Sequence, residues 1–191
     1  SSSGQLSPIY RYEKLIAALR GKCSASLQAF SIPALIQLAD RHGMSFEDAV
    51  NRVVREGVVV GSSGGEMLSP AAEGSAAEKW LTYCRRLHFL GRQSLCTMRF
   101  SPDDSAEDRL LHLQKLRCLQ DETGGFTYFS PLPGKDDIDA ETQAKEYLVA
   151  LLFLDNMRTF IRTGEEQRLF NGLSLETRPD ILFALQPASQ D

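Results

Sequence analysis

A glycine-rich turn followed by one acid is the first feature of the sequence with the chemistry of a ligand site. Gly64, Gly65 and Glu66 come shortly after an apolar run, 58–60, that is typical of a strand buried on both faces. Glycines let a ligand approach the backbone closely, and a carboxylate accepts hydrogen bonds from an amine or a ribose hydroxyl. The alternative is a plain turn that ends in a solvated acid.

A second polar run, Asp121-Glu122-Thr123, precedes Gly124 and Gly125. These three side chains could orient a substrate at the mouth of a strand. The alternative is the last turn of a helix, in which a glycine supplies the positive φ that ends it. The glycines fit the second interpretation well, whereas two adjacent acids fit the first.

Cysteines and histidines are scattered along the chain. Four cysteines stand at positions 23, 84, 96 and 118, and no two are within four residues of each other. This spacing supports neither a zinc knuckle nor a compact iron–sulfur loop, and it predicts reduced, mostly buried thiols in a cytoplasmic protein. His88 and His112 lie in amphipathic runs, so we expect packed or partly exposed helix residues rather than metal ligands.

Composition and charge exclude several classes of protein. The chain of 191 residues has 21 Lys+Arg against 25 Asp+Glu, a net charge of −4, which argues against nucleic-acid binding. No apolar run approaches the roughly 20 residues that span a bilayer, and no signal segment opens the chain, so we expect no membrane contact. Residues 1–7 are treated as a disordered or artificial end, and residues 8–191 as one domain.

Short β-prone runs alternate with amphipathic runs. Strands are predicted at 24–30, 58–60, 93–100, 126–132 and 158–162, and helices at 10–20, 33–42, 45–57, 76–90, 105–119, 140–156 and 165–185. Strand followed by helix about five times indicates an α/β fold with parallel strands. A full eight-unit barrel takes roughly 250 residues, so the fold is either a small open sheet or a partial (β/α) barrel.

Individual side chains refine this prediction. Ser45 with Asp48, and Ser105 with Asp108, have the spacing of helix N-terminal capping boxes. The leucines of the following helix are predicted to be core, and they stand at positions 110, 113, 116 and 119. Gln28 would be a polar residue of the lumen in a barrel, or simply a satisfied amide in an open sheet.

Several segments together resemble a known group of enzymes. They are 26–31 (SLQAFS), 43–48 (GMSFED), 64–68 (GGEML), Trp80-Leu81, 87–91, Thr97-Met98 and, most specifically, 112–126 (HLQKLRCLQDETGGF). Over residues 8–165 the chain resembles radical S-adenosylmethionine (radical SAM) enzymes of the futalosine route to menaquinone, most of all the aminofutalosine synthases. It is also similar to the dehypoxanthine futalosine cyclases.

This resemblance implies a fold, a reaction and a set of site residues. The family fold is a (β/α)8-type barrel in which S-adenosylmethionine lies across the carboxyl ends of the strands. A [4Fe–4S] cluster, held by a Cys-x3-Cys-x2-Cys loop, cleaves it, and the radical adds to an enolpyruvyl benzoate. The cofactor-binding residues are then Gly64, Gly65 and Glu66, and the substrate-binding residues are Gln28, Thr97, Asp121, Glu122 and Thr123.

Departures from the family pattern are equally informative. The cluster loop would precede residue 1, and the four cysteines offer no substitute, so we expect no cofactor, no metal and no catalysis by this chain alone. Ser26 and Ala34 replace a family His and Glu, and the segment containing Pro102 lacks a further His.

Two hypotheses stay open on this basis. The chain is either the carboxyl-terminal part of such an enzyme, or a degenerate relative that acts as a binding or scaffold module. A partial barrel leaves two strand edges, for which we expect a homodimer, a complementing amino-terminal half, or a terminal helix folded over an edge.

Overall fold

A computed structural model describes residues 8–20, 27–68, 74–101, 103–134 and 138–157. The helices in these ranges are Pro8–Arg20 (α1), Ile32–His42 (α2), Phe46–Val53 (α3), Ala76–Phe89 (α4), Ala106–Thr123 (α5) and Ala140–Phe153 (α6). The strands are Leu27–Ser31 (β1), Val58–Gly61 (β2), Gln93–Phe100 (β3) and Phe126–Pro133 (β4). The predicted strand at 158–162, the predicted helix at 165–185, residues 1–7 and Cys23 lie outside the described residues.

The four strands form one parallel sheet in the order β1-β2-β3-β4. This confirms the predicted α/β class. The sheet is not closed, which is consistent with a partial (β/α) barrel. The parallel arrangement places every strand's carboxyl end at the same edge of the sheet, and every returning helix ends at the opposite edge.

Helix boundaries follow the local sequence. The hydroxyl oxygens of Ser45 and Ser105 each accept a hydrogen bond from the backbone N–H three residues later, at 3.0 Å, so both serines cap their helices as predicted. Each hydroxyl also donates to the side chain of that residue, Asp48 or Asp108, at 2.7 Å. Gly43 and Gly124 end α2 and α5 in the left-handed conformation, with φ of 58° and 61°. Helix α3 ends at Val53, four residues earlier than the pattern predicts.

The two faces of the sheet differ in their surroundings. Val58, Val60, Cys96 and Met98 pack with helix residues in one hydrophobic cluster. The residues that alternate with them define the inner face, the one that would line the lumen of a closed barrel. Its members, as strand register shows, are Gln28, Val59, Leu95, Thr97 and Ser130.

The prediction that Leu110 belongs to the core is wrong. Leu113, Leu116 and Leu119 are buried, but Leu110 is 43% exposed. A step of three residues falls about 60° short of a full helical turn, so a row of such steps winds around the helix. Leu110 therefore lies outside the buried face that the later leucines share with His112.

Candidate functional site

The glycine–acid turn lies at the carboxyl edge of the sheet, directly after β2. The N–H of Gly65 donates to the carbonyl of Ser62 at 2.9 Å, and the N–H of Gly64 donates to Glu66 Oε2 at 2.9 Å. Both glycine donors are therefore used within the turn. The half-buried Glu66 carboxylate keeps Oε1 and further lone pairs for another donor.

Close packing explains why both positions are glycine. A Cβ at Gly65 would lie 2.4 Å from the Trp80 ring, and one at Gly64 would lie 2.8 Å from the Pro33 ring. Gly64 also has a φ of 91°, a conformation that residues with a side chain rarely adopt. Packing against Trp80 and Pro33, together with the positive φ of Gly64, thus accounts for the glycines without a ligand.

The turn is fixed to the sheet by the backbone of its last residues. The N–H of Leu68 donates to His112 Nδ1 at 3.0 Å, and Lys115 Nζ donates to the carbonyl of Leu68 at 2.6 Å. The N–H of Arg99 donates to the carbonyl of Glu66 at 2.9 Å. Helix α5 and strand β3 together therefore hold Glu66 in place at the carboxyl edge.

His112 connects this turn to strand β3. Because Nδ1 accepts from Leu68, Nε2 carries the proton and donates to the carbonyl of Thr97 at 3.0 Å. Burial lowers the pKa of His112 from 6.5 to about 4, so the ring is neutral near pH 7. The prediction that His112 is a packed helix residue is confirmed.

Two of the predicted substrate residues, Gln28 and Thr97, share the inner face. Thr97 is 7% exposed, and its Oγ1 has no hydrogen-bond partner among the described residues. The Gln28 side chain is exposed and lies over Gly61, where a Cβ would be 3.0 Å from Gln28 Nε2. Gln28 and Thr97 therefore lie on the same face of the sheet, but Gln28 is level with Val59 and Gln93, so Thr97 lies four residues nearer the carboxyl edge that carries the Glu66 turn.

The other three predicted substrate residues lie at the opposite edge. Asp121, Glu122 and Thr123 end helix α5 immediately before β4, which puts them at the amino ends of the strands. Each has a partner within the protein: Asp121 accepts from Asn156 Nδ2 at 2.8 Å, Glu122 pairs with Arg85 at 2.8 Å, and Thr123 Oγ1 lies 2.7 Å from His88 Nδ1. This placement favours the helix-terminus alternative and separates them from Gly64, Gly65 and Glu66.

A buried polar cluster at that amino edge has no counterpart in the sequence predictions. His88 Nε2 lies 2.8 Å from Ser94 Oγ, and Cys84 Sγ lies 3.4 Å from the same hydroxyl. A Cβ at Gly125 would lie 2.2 Å from the His88 ring. Burial lowers the pKa of His88 to about 4, so the cluster is neutral and ties α4 to β3 and α5. Within the motif DETGG, Thr123 and Gly125 therefore have a structural use, which is to hold the His88 ring.

The thiols do not fit an iron–sulfur cluster. Burial raises the pKa of Cys84 to about 12 and raises that of Cys96 as well, whereas a cluster ligand must be a thiolate. Cys84 and Cys96 are buried and Cys118 is exposed on α5, which agrees with the prediction of mostly buried thiols for the three described cysteines. Across the ranges that the structure describes, no three His, Cys, Asp or Glu side chains converge in a way that could hold a metal ion.

The fold defines the chain as an α/β protein with an open, parallel sheet that is consistent with a partial barrel, and the glycine–acid turn follows β2. No family model matches it. It is 32% identical to the cyclic dehypoxanthine futalosine synthase of Streptomyces coelicolor over 64% of this chain and 36% of the relative. It is 39% identical to the aminodeoxyfutalosine synthase of Thermus thermophilus over 42% of this chain and 25% of the relative.

A third relative is the FO synthase of Nocardia farcinica, 28% identical over 66% of this chain and 16% of the relative. These comparisons confirm the resemblance: the chain is a homologue of radical SAM enzymes that include cyclic dehypoxanthine futalosine, aminodeoxyfutalosine and FO synthases. It spans about a third or less of the length of the curated relatives it matches, at 36% and 25% for the first two. Of the described helices, none is long and apolar enough to cross a membrane.

Proposed function

We propose that this chain forms part of the wall of a radical SAM-type barrel and that its carboxyl edge contacts S-adenosylmethionine. The observation that supports this most directly is the anchoring of the 62–68 turn by His112, Lys115 and Arg99. Three hydrogen bonds to the backbone of the turn hold Glu66 at the edge where ligands of α/β proteins bind. Ordering the turn in this way costs conformational entropy. A turn that only exposed an acid to water would not need to be ordered.

Glu66 is the residue that we assign to the ligand. Its Oε2 receives the Gly64 N–H, so Oε1 is left to accept a hydrogen bond from the amine or ribose of the ligand. The N–H groups of Gly64 and Gly65 are already used in the turn. Recognition would therefore rest on the carboxylate and not on the backbone.

Thr97 and Gln28 would face the substrate from the inner face. A buried hydroxyl without a partner costs free energy, about 1–3 kcal/mol, unless a bound molecule supplies the missing hydrogen bond. Thr97 Oγ1 is such a group. A substrate with a carboxylate or hydroxyl near β3 would satisfy it.

The iron–sulfur cluster, when present in this family, supplies the electron that cleaves S-adenosylmethionine. Because Cys84 and Cys96 are buried on separate elements and Cys118 lies on the outside of α5, the described thiols would not hold it. We therefore propose that this chain alone is not catalytic. We also place it in the cytoplasm, since these three cysteines are free thiols.

A degenerate, non-catalytic binding module is the second candidate. The observation that favours it is Ala34, at the start of α2, where the resemblance expects a carboxylate. The short methyl side chain cannot bind a ligand amine or a metal. The other two departures, at Ser26 and Pro102, lie outside the described residues.

Calorimetric titration with S-adenosylhomocysteine tests the proposed ligand site. We expect weak binding by the native chain, on the order of 1 mM, because the cluster's bonds to the ligand are missing. Glu66→Gln keeps an acceptor for the Gly64 N–H but removes the charge, and we expect at least a fivefold loss of affinity, about 1 kcal/mol.

The matched control is Glu122→Gln, the same change at the opposite edge of the sheet, which should bind as the native chain does. Affinity unchanged by Glu66→Gln would remove Glu66 from the site. No heat of binding at about 10 mM ligand would contradict the ligand-binding proposal altogether.

A further inference from the structure

Strand β3 carries a positively charged side chain near the carboxyl edge, on the inner face of the sheet. Met98 and Phe100 belong to the hydrophobic cluster on the helix side, so the alternation of a strand puts Thr97 and Arg99 together on the inner face. Arg99 is exposed, and its backbone N–H donates to the carbonyl of Glu66 at 2.9 Å. Arg99 therefore borders the turn that carries the carboxylate assigned to the ligand.

The Arg99 guanidinium pairs with no acid among the residues that the structure describes. Its stem lies beside Gly134, directly after β4, where a Cβ would be 3.4 Å from Arg99 Cγ and 3.1 Å from the carbonyl oxygen of Phe100. Arg109, on the following helix, pairs with Glu146 at 3.2 Å instead. A guanidinium presents its N–H donors in a planar fork that matches a carboxylate or a phosphate. Arg99 thus has the chemistry to bind an oxyanion.

Two hydroxyl groups stand next to Arg99 on the inner face. Thr97 and Ser130 are register partners on β3 and β4. Thr97 Oγ1 is buried and has no hydrogen-bond partner within the described part of the chain. The Ser130 hydroxyl lies 3.5 Å from the carbonyl of Pro131, which is longer than an ordinary O–H···O bond. Both hydroxyls are therefore available to donate to a bound molecule.

We propose that Arg99, Thr97 and Ser130 form a binding site for an oxyanionic substrate that is distinct from S-adenosylmethionine. This rests on the part of the proposed function that turns Thr97 toward a substrate. Arg99 binds the oxyanion, and the two hydroxyls donate to an acceptor further along the same molecule. Residues two positions apart on a strand are about 7 Å from each other, so the ligand carries its acceptor at about that distance from the oxyanion.

Opposite charges separate the two ligands at this edge. The Glu66 carboxylate attracts an amine, whereas the Arg99 guanidinium attracts an anion, and the backbone bond between these residues keeps the two groups adjacent. The methionine carboxylate of S-adenosylmethionine is the other oxyanion that could reach Arg99. The test must therefore distinguish a separate substrate from that carboxylate.

The first measurement is calorimetric binding of adipate and of inorganic phosphate to the full chain. Adipate has a carboxylate at each end of a hydrocarbon chain, so one molecule can reach both Arg99 and the hydroxyl pair. We expect Arg99→Gln, which removes the charge but keeps amide donors, to weaken binding about tenfold or more. The control is Arg41→Gln, the same change in the last turn of α2, and it should bind as the native chain does. The anion that binds more tightly identifies the ligand as a carboxylate or a phosphate compound.

Thr97→Val provides a readout that a structural role would not move in the same direction. Valine keeps the shape of threonine but lacks the hydroxyl, and the native hydroxyl is buried without a partner. The urea midpoint should therefore rise, because an unpaired polar group is removed from the interior. Affinity for adipate should fall about fivefold, because a donor to the ligand is lost. A residue that served only packing would show no loss of binding.

The proposal is overturned if neither anion binds at about 20 mM, or if Arg99→Gln and Arg41→Gln bind alike. It is also overturned if Thr97→Val lowers the urea midpoint and leaves the affinity unchanged. A loss of S-adenosylhomocysteine binding in Arg99→Gln, with adipate binding retained, would assign Arg99 to the methionine carboxylate and contradict a separate substrate. Failure of S-adenosylhomocysteine to bind the native chain would not alter the adipate and phosphate results, so the two proposals can fail separately.

Discussion

His112 and Leu68 are 44 residues apart in the chain, yet the backbone N–H of Leu68 donates to His112 Nδ1 at 3.0 Å. The other ring nitrogen of His112 donates to the carbonyl of Thr97. One neutral ring therefore fixes both the turn that carries Glu66 and the strand that carries Thr97. The two residues that we assign to ligand and substrate are thus held by one side chain.

Replacing His112 should destabilise the protein strongly. In His112→Phe the ring volume is kept, but the Leu68 N–H and the Thr97 carbonyl lose their partners, which should cost about 2–4 kcal/mol of unfolding free energy. Urea unfolding measures this loss. Lys115→Met, which removes a single bond to the Leu68 carbonyl while keeping the stem, should cost about 1 kcal/mol. Equal effects of the two changes would show that His112 does not anchor the turn.

Stability should fall as the solution is acidified from pH 6.5 toward pH 4. His88 and His112 are buried as neutral rings with pKa values of about 4, against 6.5 when unfolded, so the unfolded chain binds more protons in this window. At pH 5 each histidine should have lost about 2 kcal/mol of its contribution. Urea midpoints at pH 7 and pH 5 test this, and equal midpoints would contradict the burial of the two rings.

Gly65→Ala should disturb the turn through Trp80. The added Cβ would lie 2.4 Å from the Trp80 ring, so the ring or the turn must move, at a cost of about 1–3 kcal/mol. In the Trp80→Leu background the same change should cost much less, because the side chain that the Cβ meets is gone. An undiminished cost in that background would mean that the glycine serves something other than packing.

Thiol labelling should distinguish the three described cysteines. Cys118 is exposed and should react promptly with a thiol reagent, whereas Cys84 and Cys96 should react only after unfolding because burial raises their pKa values. Cys118→Ser is the control. In this variant the number of thiols that react before unfolding should fall by one. Anaerobic incubation with iron and sulfide should likewise give no stable four-iron centre on these thiols, and formation of one would contradict their structural role.

The parts of the fold that the sequence predicts well are those determined by near neighbours. Ser45 and Ser105 cap helices through residues three positions away, and 58–60 is buried on both faces because all three side chains are apolar. Leu110 is different, since its burial depends on which side of α5 faces the sheet. No local pattern carries that information.

Prediction of the candidate site from the sequence is limited in the same way. Glu66 and Asp121-Glu122-Thr123 have equally suggestive local patterns, but β2 ends at the carboxyl edge and α5 ends at the amino edge. Only the parallel topology separates them. The bond between His112 and Leu68 is still harder to foresee, because it joins residues 44 positions apart.

The central claim is that the carboxyl edge around Glu66, and not the amino edge around Glu122, contacts S-adenosylmethionine. The most direct test is to follow backbone amide resonances while S-adenosylhomocysteine is added to the native chain. We expect the amide resonances of Gly64, Gly65, Glu66 and Thr97 to shift and those of Glu122 and Thr123 to stay in place. Shifts confined to the amino edge, or no shifts at all at millimolar ligand, would contradict it.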